Sequence, residues 1–540
     1  MAMAMATAMA MAMTSSKAGR WRPAGVGSES GRKSMKLVRL SAVLPALLAG
    51  PVSSAQWLVV PTLSASETFT DNVRLAPSGS ERSDWVTQVT PGVTVTATGP
   101  RLRLNASYSP QFLYRLNEGT KDVFQQLNAN GTAELAQQLL FVDASASIFQ
   151  TNVSLFGPQA DSNVNNTGNR TNVRTFVISP YLRHAFGTSA QGEARFTYNT
   201  VNTDASTSLT NSHSTAANLS LASGPSFKLY TWNLAYSKQY IYYSSDQAIQ
   251  SPTASIETVS AYARRLLTPQ LAVVSTVGYE DNDYGFAGVS APKGTFWTAG
   301  LQWNPTPRTN LTATTGRRYF GANRALDFSH RTRLTLWSLT YSENVTSTRS
   351  QFLIPGSVST AGYLDTLFLS SFPDPVERQT AVQTFIAQNG LPASLTVPLN
   401  FLTNQFFLVK AWRGSFGILG IQNSIIANVF TQTTSSTAVG QIGTGDFSQN
   451  DSTKQTGGGL VWTTRISAQT SSNVNVSYSR NEAAGIARED NLKNINLSLT
   501  HQFQPRLSGS LSYRWLQNNS NQAGAGYKEN AVVATANMRF

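Results

Sequence analysis

The chain alternates between apolar and polar residues in runs of about ten, and this period of two is typical of β-strands that cross a membrane. Between residues 101 and 115 the even positions are apolar or aromatic, whereas the odd positions are mostly polar and include Arg103 and Arg115. Residues 507–515 repeat the pattern, with Arg514 on the polar face. Each run is therefore predicted to be a strand with one apolar and one polar face.

Two folds use strands of this kind. A β-sandwich turns its apolar faces inward, whereas a membrane barrel turns them outward to lipid. The runs in this chain are long and carry aromatic residues near their ends, as at Tyr240 and Tyr242. Their polar faces are uncharged or basic, which suits a wet lumen. The pattern therefore favours the barrel.

Short and long connections alternate along the chain. Short turns are predicted at 98–101, 186–189, 223–226, 267–270, 304–307, 414–417 and 504–506, and longer polar loops near 71–83, 153–171, 203–211, 244–255, 284–294, 432–456, 483–491 and 518–527. All short turns share the rim of the C-terminus only if Glu343–Val345 is a turn and residues 346–354 form a strand. The sequence then predicts an all-β fold, a single large antiparallel transmembrane β-barrel of about 22 strands, within a range of 20 to 24.

Residues 355–402 interrupt the alternation and are predicted to form a long extracellular loop. Within them, Asp374-Pro375-Val376-Glu377 places a capping residue, a proline and an acid as they occur at the start of a helix. We expect a short helix at about 375–389. The sequence leaves open whether this insertion covers the barrel mouth or folds into the lumen as a plug.

The N-terminal residues are predicted to be a targeting region. Residues 1–34 form a low-complexity leader that we do not expect in the native product. Residues 35–55 have the basic start, apolar stretch and small-residue end of a signal peptide, with Met35 as the start of translation. The barrel then occupies residues 56–540, and no apolar segment is long enough for a membrane-spanning helix.

Composition excludes several classes of protein. The chain has 41 basic and 28 acidic residues, but seven of the basic residues lie in the first 55, so the net charge of +13 is weak support for nucleic-acid binding. Charged residues make up only 13% of the chain, about half of what a soluble domain usually has. Cysteine is absent, which excludes disulfide scaffolds, thiolate metal sites and cysteine nucleophiles.

The C-terminal strand resembles the last strand of bacterial outer-membrane barrels. Ala536, Met538 and Phe540 lie on its apolar face, and the aromatic residue ends the chain. The resemblance implies that Phe540, with Met538 and Ala536, is an assembly signal for the barrel-assembly machinery. It also implies the bacterial outer membrane as the location and outer-membrane lipid as a partner.

A second resemblance concerns residues 61–73 (PTLSASETFTDNV) and 339–349 (LTYSENVTSTR). Both are similar to segments of the outer-membrane β-barrel family associated with PEP-CTERM/exosortase systems, and the overall layout matches over most of residues 56–540. The resemblance implies a barrel encoded with exopolysaccharide biosynthesis and export machinery. Polysaccharide export components are accordingly expected as partners, and no functional residue beyond Phe540 carries over.

Residue types that carry chemistry are sparse. The four histidines, His184, His213, His330 and His501, form no local motif with serine or acids. Residues 70–72 and 280–283 collect oxygen ligands of the kind that Ca²⁺ takes, but solvated acidic loops explain them better. We therefore predict no catalytic residue, metal or cofactor.

The polar faces suggest what the lumen handles. Arg103, Arg115 and Arg514 stand among hydroxyl and amide side chains as possible lumen lining, and arginine pairs with carboxylates in a bidentate way. Any water-filled barrel would be lined in a similar manner. The expectation is a non-enzymatic barrel for exopolysaccharide export or surface anchoring. A general porin or solute uptake channel is the alternative, and an outer-membrane lipid hydrolase or protease is a third possibility.

Overall fold

The computed structural model describes residues 55–204, 211–244, 253–284, 292–353, 405–420, 422–437, 452–483 and 485–540, together with Val382 and Thr403. The strands of the first half are β1 (Gln56–Thr70), β2 (Asp84–Thr98), β3 (Leu102–Tyr108), β4 (Gln111–Arg115), β5 (Thr120–Phe124), β6 (Leu127–Ala136), β7 (Leu140–Asn152), β8 (Arg170–Phe186), β9 (Ala190–Thr203), β10 (Ser212–Ser223), β11 (Tyr230–Tyr243) and β12 (Thr253–Thr268). The strands of the second half are β13 (Leu271–Asp283), β14 (Lys293–Thr306), β15 (Thr309–Arg318), β16 (Gly321–Arg331), β17 (Thr335–Ser347), β18 (Phe406–Leu419), β19 (Asn423–Ser436), β20 (Ser452–Arg465), β21 (Thr470–Ala483), β22 (Arg488–Gln504), β23 (Leu507–Ser520) and β24 (Tyr527–Arg539). A short helix, α1 (Thr348–Leu353), follows β17.

These strands form one antiparallel sheet that closes on itself, because β1 pairs with both β2 and β24. The barrel has 22 strands, since β3 with β4 and β5 with β6 are each one strand with a brief interruption. Both β3 and β4 pair with β2 in a single register, with Val93 opposite Tyr108 and Val89 opposite Phe112. The predicted fold class and strand number are confirmed.

The apolar face of each strand points outward. Large apolar side chains on this face have little protein to cover them, with exposed fractions of 51% for Leu301, 64% for Val429 and 57% for Leu511. Aromatic side chains lie towards both ends of the strands, as at Trp303 near a short turn and Tyr240 near a long loop. An apolar belt between two aromatic girdles is the outer surface of a transmembrane barrel. The protein is therefore an outer-membrane β-barrel.

Strand length agrees with this location. Most strands have 13 to 17 residues, for example β24 with 13 and β8 with 17. At about 3.3 Å per residue and a tilt of roughly 40°, 13 residues rise about 33 Å, which exceeds the apolar band of about 25 Å. The strands therefore extend beyond the bilayer. None of the helical residues that the structure describes belongs to an apolar helix of membrane-spanning length.

The predicted turn at Glu343–Val345 and the predicted strand at 346–354 are wrong. β17 continues through Ser347 because Val345 and Thr346 pair with Leu408 and Phe407 of β18. The chain then turns into α1, whose first turn is capped by Ser347, since its Oγ accepts the amide of Ser350 at 3.2 Å.

The turn predicted at 414–417 is also wrong, because these residues lie inside β18. A side chain at Gly414 would meet Cγ2 of Val429 at 3.2 Å, so this glycine accommodates a bulky neighbour on the outer face. The actual turn lies between the end of β18 at Leu419 and the start of β19 at Asn423. Five further short connections, at 116–119, 137–139, 319–320, 332–334 and 466–469, escaped prediction.

The connection between β17 and β18 is the long insertion of the fold, and α1 opens it. The helix predicted at about 375–389 lies outside the described residues except for Val382, which is helical and 2% exposed. The leader at 1–34 and all but the last residue of the signal peptide at 35–55 also lie outside the described part of the chain.

Candidate functional site in the barrel lumen

The loop between β7 and β8 turns into the lumen. We call residues 153–169 the crossing segment. Its Gln159 backbone amide donates to the Tyr527 hydroxyl at 2.9 Å, and its Asn166 amide donates to the Val73 carbonyl at 2.8 Å. Tyr527 faces the lumen from β24, and Val73 follows β1, so the segment reaches the wall where the barrel closes.

The crossing segment also contacts the opposite wall. Leu155, which is 1% exposed, packs against Phe407, Val409 and Ala411 on the inner face of β18. β18 is eleven strands from β7 in a ring of 22, which places it half-way round. Because Leu155 is only three residues beyond the end of β7, a reach of at most about 11 Å, the walls at β7 and β18 lie close together in the extracellular half of the lumen, and the segment contacts both.

Side-chain amides give the crossing segment its shape. Asn169 holds both ends of a tight loop, because its Nδ2 donates to the carbonyls of Ser154 and Pro158 at 2.9 and 3.1 Å. Gln159 Nε2 donates to three carbonyls of the same loop, including that of Gly157 at 2.8 Å. A side chain on Gly157 would lie 2.5 Å from Asn169 Cγ, so only glycine fits there. The segment is thus a built structure with its own hydrogen bonds.

Arg115 ties the crossing segment to β4. Its side chain is 1% exposed, and Nε and Nη2 donate to the carbonyls of Val164 and Asn163 at 3.0 and 2.8 Å. The same guanidinium forms an ion pair with Asp122 of β5. Hydrogen bonds from a charged donor are stronger than neutral ones, so Arg115 is a firm anchor.

Glu529 anchors the segment to β24 from the other side. Its side chain is fully buried, and Oε1 accepts from Thr70 Oγ1 and Asn165 Nδ2 at 2.7 Å and from Arg514 Nη2 at 2.9 Å. Arg514 in turn donates to Ser162 Oγ at 3.1 Å. Because water is excluded, each of these bonds is stronger than it would be in solvent, and each broken one costs more.

The helix α1 occupies a second part of the lumen. Its Arg349 is 1% exposed and donates from Nε to Ser212 Oγ of β10 at 2.8 Å, while Nη2 binds the side-chain oxygen of Asn199 on β9. Phe352 packs edge-on against Phe149 of β7, with ring centroids 5.7 Å apart. Burial lowers the pKa of the Arg349 guanidinium to about 10, so it stays charged at neutral pH.

The structure places the predicted site residues as follows. Arg115 and Arg514 meet at the crossing segment, whereas Arg103 pairs with Thr98 near the periplasmic end of β3 and is exposed. Ala536, Met538 and Phe540 lie on the outer face of the last strand, with exposed fractions of 41% for Met538 and 56% for Phe540. Their role as an assembly signal remains a prediction.

The four histidines contact threonine hydroxyls or aromatic rings. His330 and His501 form hydrogen bonds through Nδ1 with Thr309 and Thr470 at 2.8 and 2.9 Å. His213 stacks on Tyr242 with ring centroids 5.0 Å apart, and His184 lies edge-on to Phe186 at 4.8 Å. Within the described residues, no group of three or more acids and histidines could hold a metal ion.

Glu529, Tyr527 and the crossing segment itself were not predicted from the sequence. Residues 153–169 were expected to be one of several polar loops. Their only distinguishing signal is the presence of Leu155, Phe156 and Val164 in a loop otherwise rich in asparagine. Apolar residues in an extracellular loop need a surface to pack on, and here the inner wall supplies it.

No protein-family model matches this chain, and no curated protein matches it. Among solved structures, the chain is similar to the siderophore receptor PirA from Pseudomonas aeruginosa, with 10% identity, a TM-score of 0.43, and coverage of 89% of this chain and 80% of that one. It is similar to the ferric-catecholate import receptor Fiu from Escherichia coli K12, with 9% identity, a TM-score of 0.46 and coverage of 89% and 81%. It is also similar to the FrpB iron transporter from Neisseria meningitidis, with 9% identity, a TM-score of 0.47 and coverage of 89% and 82%.

Proposed function

We propose that this protein is a non-enzymatic solute uptake channel of the outer membrane, with a lumen restricted by the crossing segment. The observation that carries the proposal is the course of residues 153–169, which leave β7 and contact the inner wall at β24 and at β18, the strand opposite β7. A barrel needs no such segment for stability of its wall, because every strand already has two neighbours. A segment built across the lumen controls what passes.

Lumen width shows why a restriction matters. A circular ring of 22 strands about 4.8 Å apart and tilted by roughly 40° would have a diameter of about 40 Å between backbones. The extracellular half is narrower than this, since Leu155, three residues after β7, contacts β18 half-way round the ring. Left open, such a barrel would admit folded peptides as readily as nutrients. The crossing segment and α1 reduce the passage to the space beside them, so we expect small hydrophilic solutes to be the cargo.

Exopolysaccharide export, the first expectation from the sequence, is less well supported. A linear polymer needs a continuous path, and the crossing segment obstructs one with buried bonds at Arg115 and Glu529. A deletion strain decides between the two roles: normal secretion of polysaccharide with impaired solute uptake supports the channel. A loss of secretion with normal uptake overturns it.

Single-channel conductance tests the proposed restriction. We expect a variant in which residues 156–167 are replaced by two glycines to conduct several-fold more than the wild type, because the lumen is then unobstructed. A matched control deletes Ser78–Ser80, the exposed tip of the loop between β1 and β2. This control should conduct as the wild type does.

Folding of each variant is checked by its heat-modifiable mobility in gels, which reports the closed barrel. Equal conductance of the wild type and the 156–167 variant, with both barrels folded, would overturn the proposal. So would two silent folded barrels.

A further inference from the structure

The inner wall of the barrel carries only one kind of basic side chain, whereas the outer wall carries lysines and also arginines such as Arg317, which pairs with the outward Trp297. On the inner face of the described strands every basic residue is an arginine. The lysines of these strands all lie on the outer face: Lys121, Lys238, Lys293, Lys410, Lys454, Lys493 and Lys528. None of these seven lysine side chains faces the water inside the barrel. The inner wall therefore has the guanidinium group alone as its cation.

The periplasmic half of the inner wall carries an excess of positive charge. Its arginines are Arg103, Arg183, Arg195, Arg264, Arg331, Arg413, Arg465 and Arg539, and its carboxylates are Glu134, Asp143, Glu193 and Asp327. Eight cations thus face four anions. This half lies beyond the crossing segment, on the side of the short turns.

The carboxylates neutralise only two of these arginines. Asp143 binds Arg195 at 2.8 Å, and Glu193 binds Arg183 at 2.8 Å and Arg195 at 3.0 Å. The other six form what we call the arginine ring: Arg103, Arg264, Arg331, Arg413, Arg465 and Arg539. Within the described part of the chain, none of the six has an ion pair.

Amide partners orient two members of the arginine ring without neutralising them. Arg264 Nε donates to Gln302 Oε1 at 2.7 Å, and Arg413 Nη2 donates to Gln432 Oε1 at 3.0 Å. Arg413 Nε and Arg331 Nη1 are buried and have no hydrogen-bond partner among the described residues. Arg103, Arg465 and Arg539 are exposed at the periplasmic mouth. The exposed guanidinium groups of Arg103, Arg465 and Arg539 are therefore the donors that an incoming anion reaches first, whereas the buried nitrogens of Arg331 and Arg413 are covered by the wall.

Enclosure within the barrel increases the electrostatic potential of the arginine ring. A water-filled passage with low-dielectric walls focuses the field of like charges and raises the local concentration of counter-ions. The planar guanidinium fits carboxylate and phosphate oxygens in pairs, and rings of basic side chains select anions in pores.

We propose that the arginine ring makes the periplasmic half of the lumen selective for anionic solutes, which it binds through their carboxylate or phosphate groups. The inference rests on the proposed role in solute passage and adds the chemical class of the cargo. Neutral and cationic solutes of the same size are expected to pass less readily.

The reversal potential in a gradient of KCl measures this selectivity. The full chain and the 156–167 variant should both prefer chloride. Changing all six residues of the arginine ring to glutamine should abolish that preference or reverse it. A matched control makes the same change in net charge on the outer wall by substituting Lys121, Lys410, Lys454, Lys493, Lys528 and Arg317 with glutamine, and it should keep the preference. A preference for potassium in the wild type, or a preference unchanged by the ring substitutions, would overturn the inference.

Measuring the binding of an anion provides a second test, which does not depend on ion conduction through the barrel. Titration calorimetry of citrate into the detergent-solubilised full chain should show binding that is about tenfold weaker in the six-arginine variant and unchanged in the outer-wall control. Equal affinity in the wild type and the ring variant, or no citrate binding to the wild type, would overturn the inference. If the barrel conducts ions without preferring chloride, only the inference about the arginine ring is refuted. If folded barrels conduct no current but still bind citrate, only the proposed function is refuted.

Discussion

The arginines of the extracellular half and those of the periplasmic half of the lumen have different surroundings. In the extracellular half, the buried Arg115 and Arg514 have carboxylate partners, and Arg514 binds Glu529 at 2.9 Å with side-chain exposed fractions of 7% and 0%. The buried Arg349 is held instead by the neutral oxygens of Ser212 and Asn199. In the periplasmic half, Arg103 and Arg539 are exposed and have none among the described residues. Desolvation explains the difference, because a charge removed from water needs a partner whereas a hydrated one does not. The buried charges of the extracellular half (the dry half) stabilise the fold. The hydrated arginines of the periplasmic half (the wet half) are the ones that we propose bind solutes.

Removing Glu529 should be the most damaging single change to the dry half. We expect Glu529→Ala to lower the free energy of unfolding by about 3–5 kcal/mol, because it leaves Arg514 buried without a counter-charge. The matched control is Glu489→Ala, which breaks the pair of Arg480 and Glu489 at the exposed rim, where the loss should stay below about 1 kcal/mol.

Urea unfolding in lipid vesicles, followed by fluorescence of the nine tryptophans of residues 56–540, measures both losses. Equal effects of the two substitutions would contradict the contrast between a dry and a wet environment.

The next largest effect should separate the lipid face from the lumen face. Leu301 and Thr298 lie three residues apart on β14, with Leu301 exposed on the outer face and Thr298 on the inner face. Leu301→Arg should cost about 2–4 kcal/mol near the bilayer midplane, because lipid cannot solvate the charge.

Thr298→Arg should be tolerated, since the lumen hydrates the guanidinium. The same unfolding measurement applies to both variants. A large loss at Thr298 with little loss at Leu301 would reverse the assignment of the two faces.

The smallest effect should come from one hydrogen bond of the crossing segment. Tyr527→Phe removes the hydroxyl that accepts the Gln159 amide, at a cost of about 1 kcal/mol. Hydrogen exchange at the Gln159 amide should become faster. Tyr513→Phe, which removes a hydroxyl bonded to Asn530 on the outer face, should leave that exchange rate unchanged. Unchanged exchange in both variants would show that this bond does not hold the segment.

For many wall residues the sequence predicts whether the side chain points to lipid or to the lumen, because this orientation depends on the local alternation within a strand. The spacing of residues 101–115 assigns their even positions to one face, and the structure exposes Phe112 and Tyr114 on the outer wall. Errors arose where a local signal had two meanings. Gly414 and Gly417 suggested a turn, but within β18 the absence of a side chain at Gly414 makes room for Val429.

The contents of the lumen could not be predicted in the same way. Arg115 and Arg514 were placed on polar faces, yet nothing near them in sequence indicated their partners. Gln159 and Tyr527, which share a hydrogen bond, are 368 residues apart. Contacts of this range exist only after the sheet has closed.

The sequence by itself determined that the strands alternate, that their apolar faces meet lipid, and that the number of strands is close to 22. These features follow from the two-residue alternation of apolar and polar side chains and from the lipid outside and the water inside the barrel. Both constrain each strand separately. Only the tertiary structure decided that residues 153–169 cross the lumen and that Glu529 binds Arg514 and Asn165. Closure of the ring brings these residues together in a space without water, where their hydrogen bonds and charges acquire their strength.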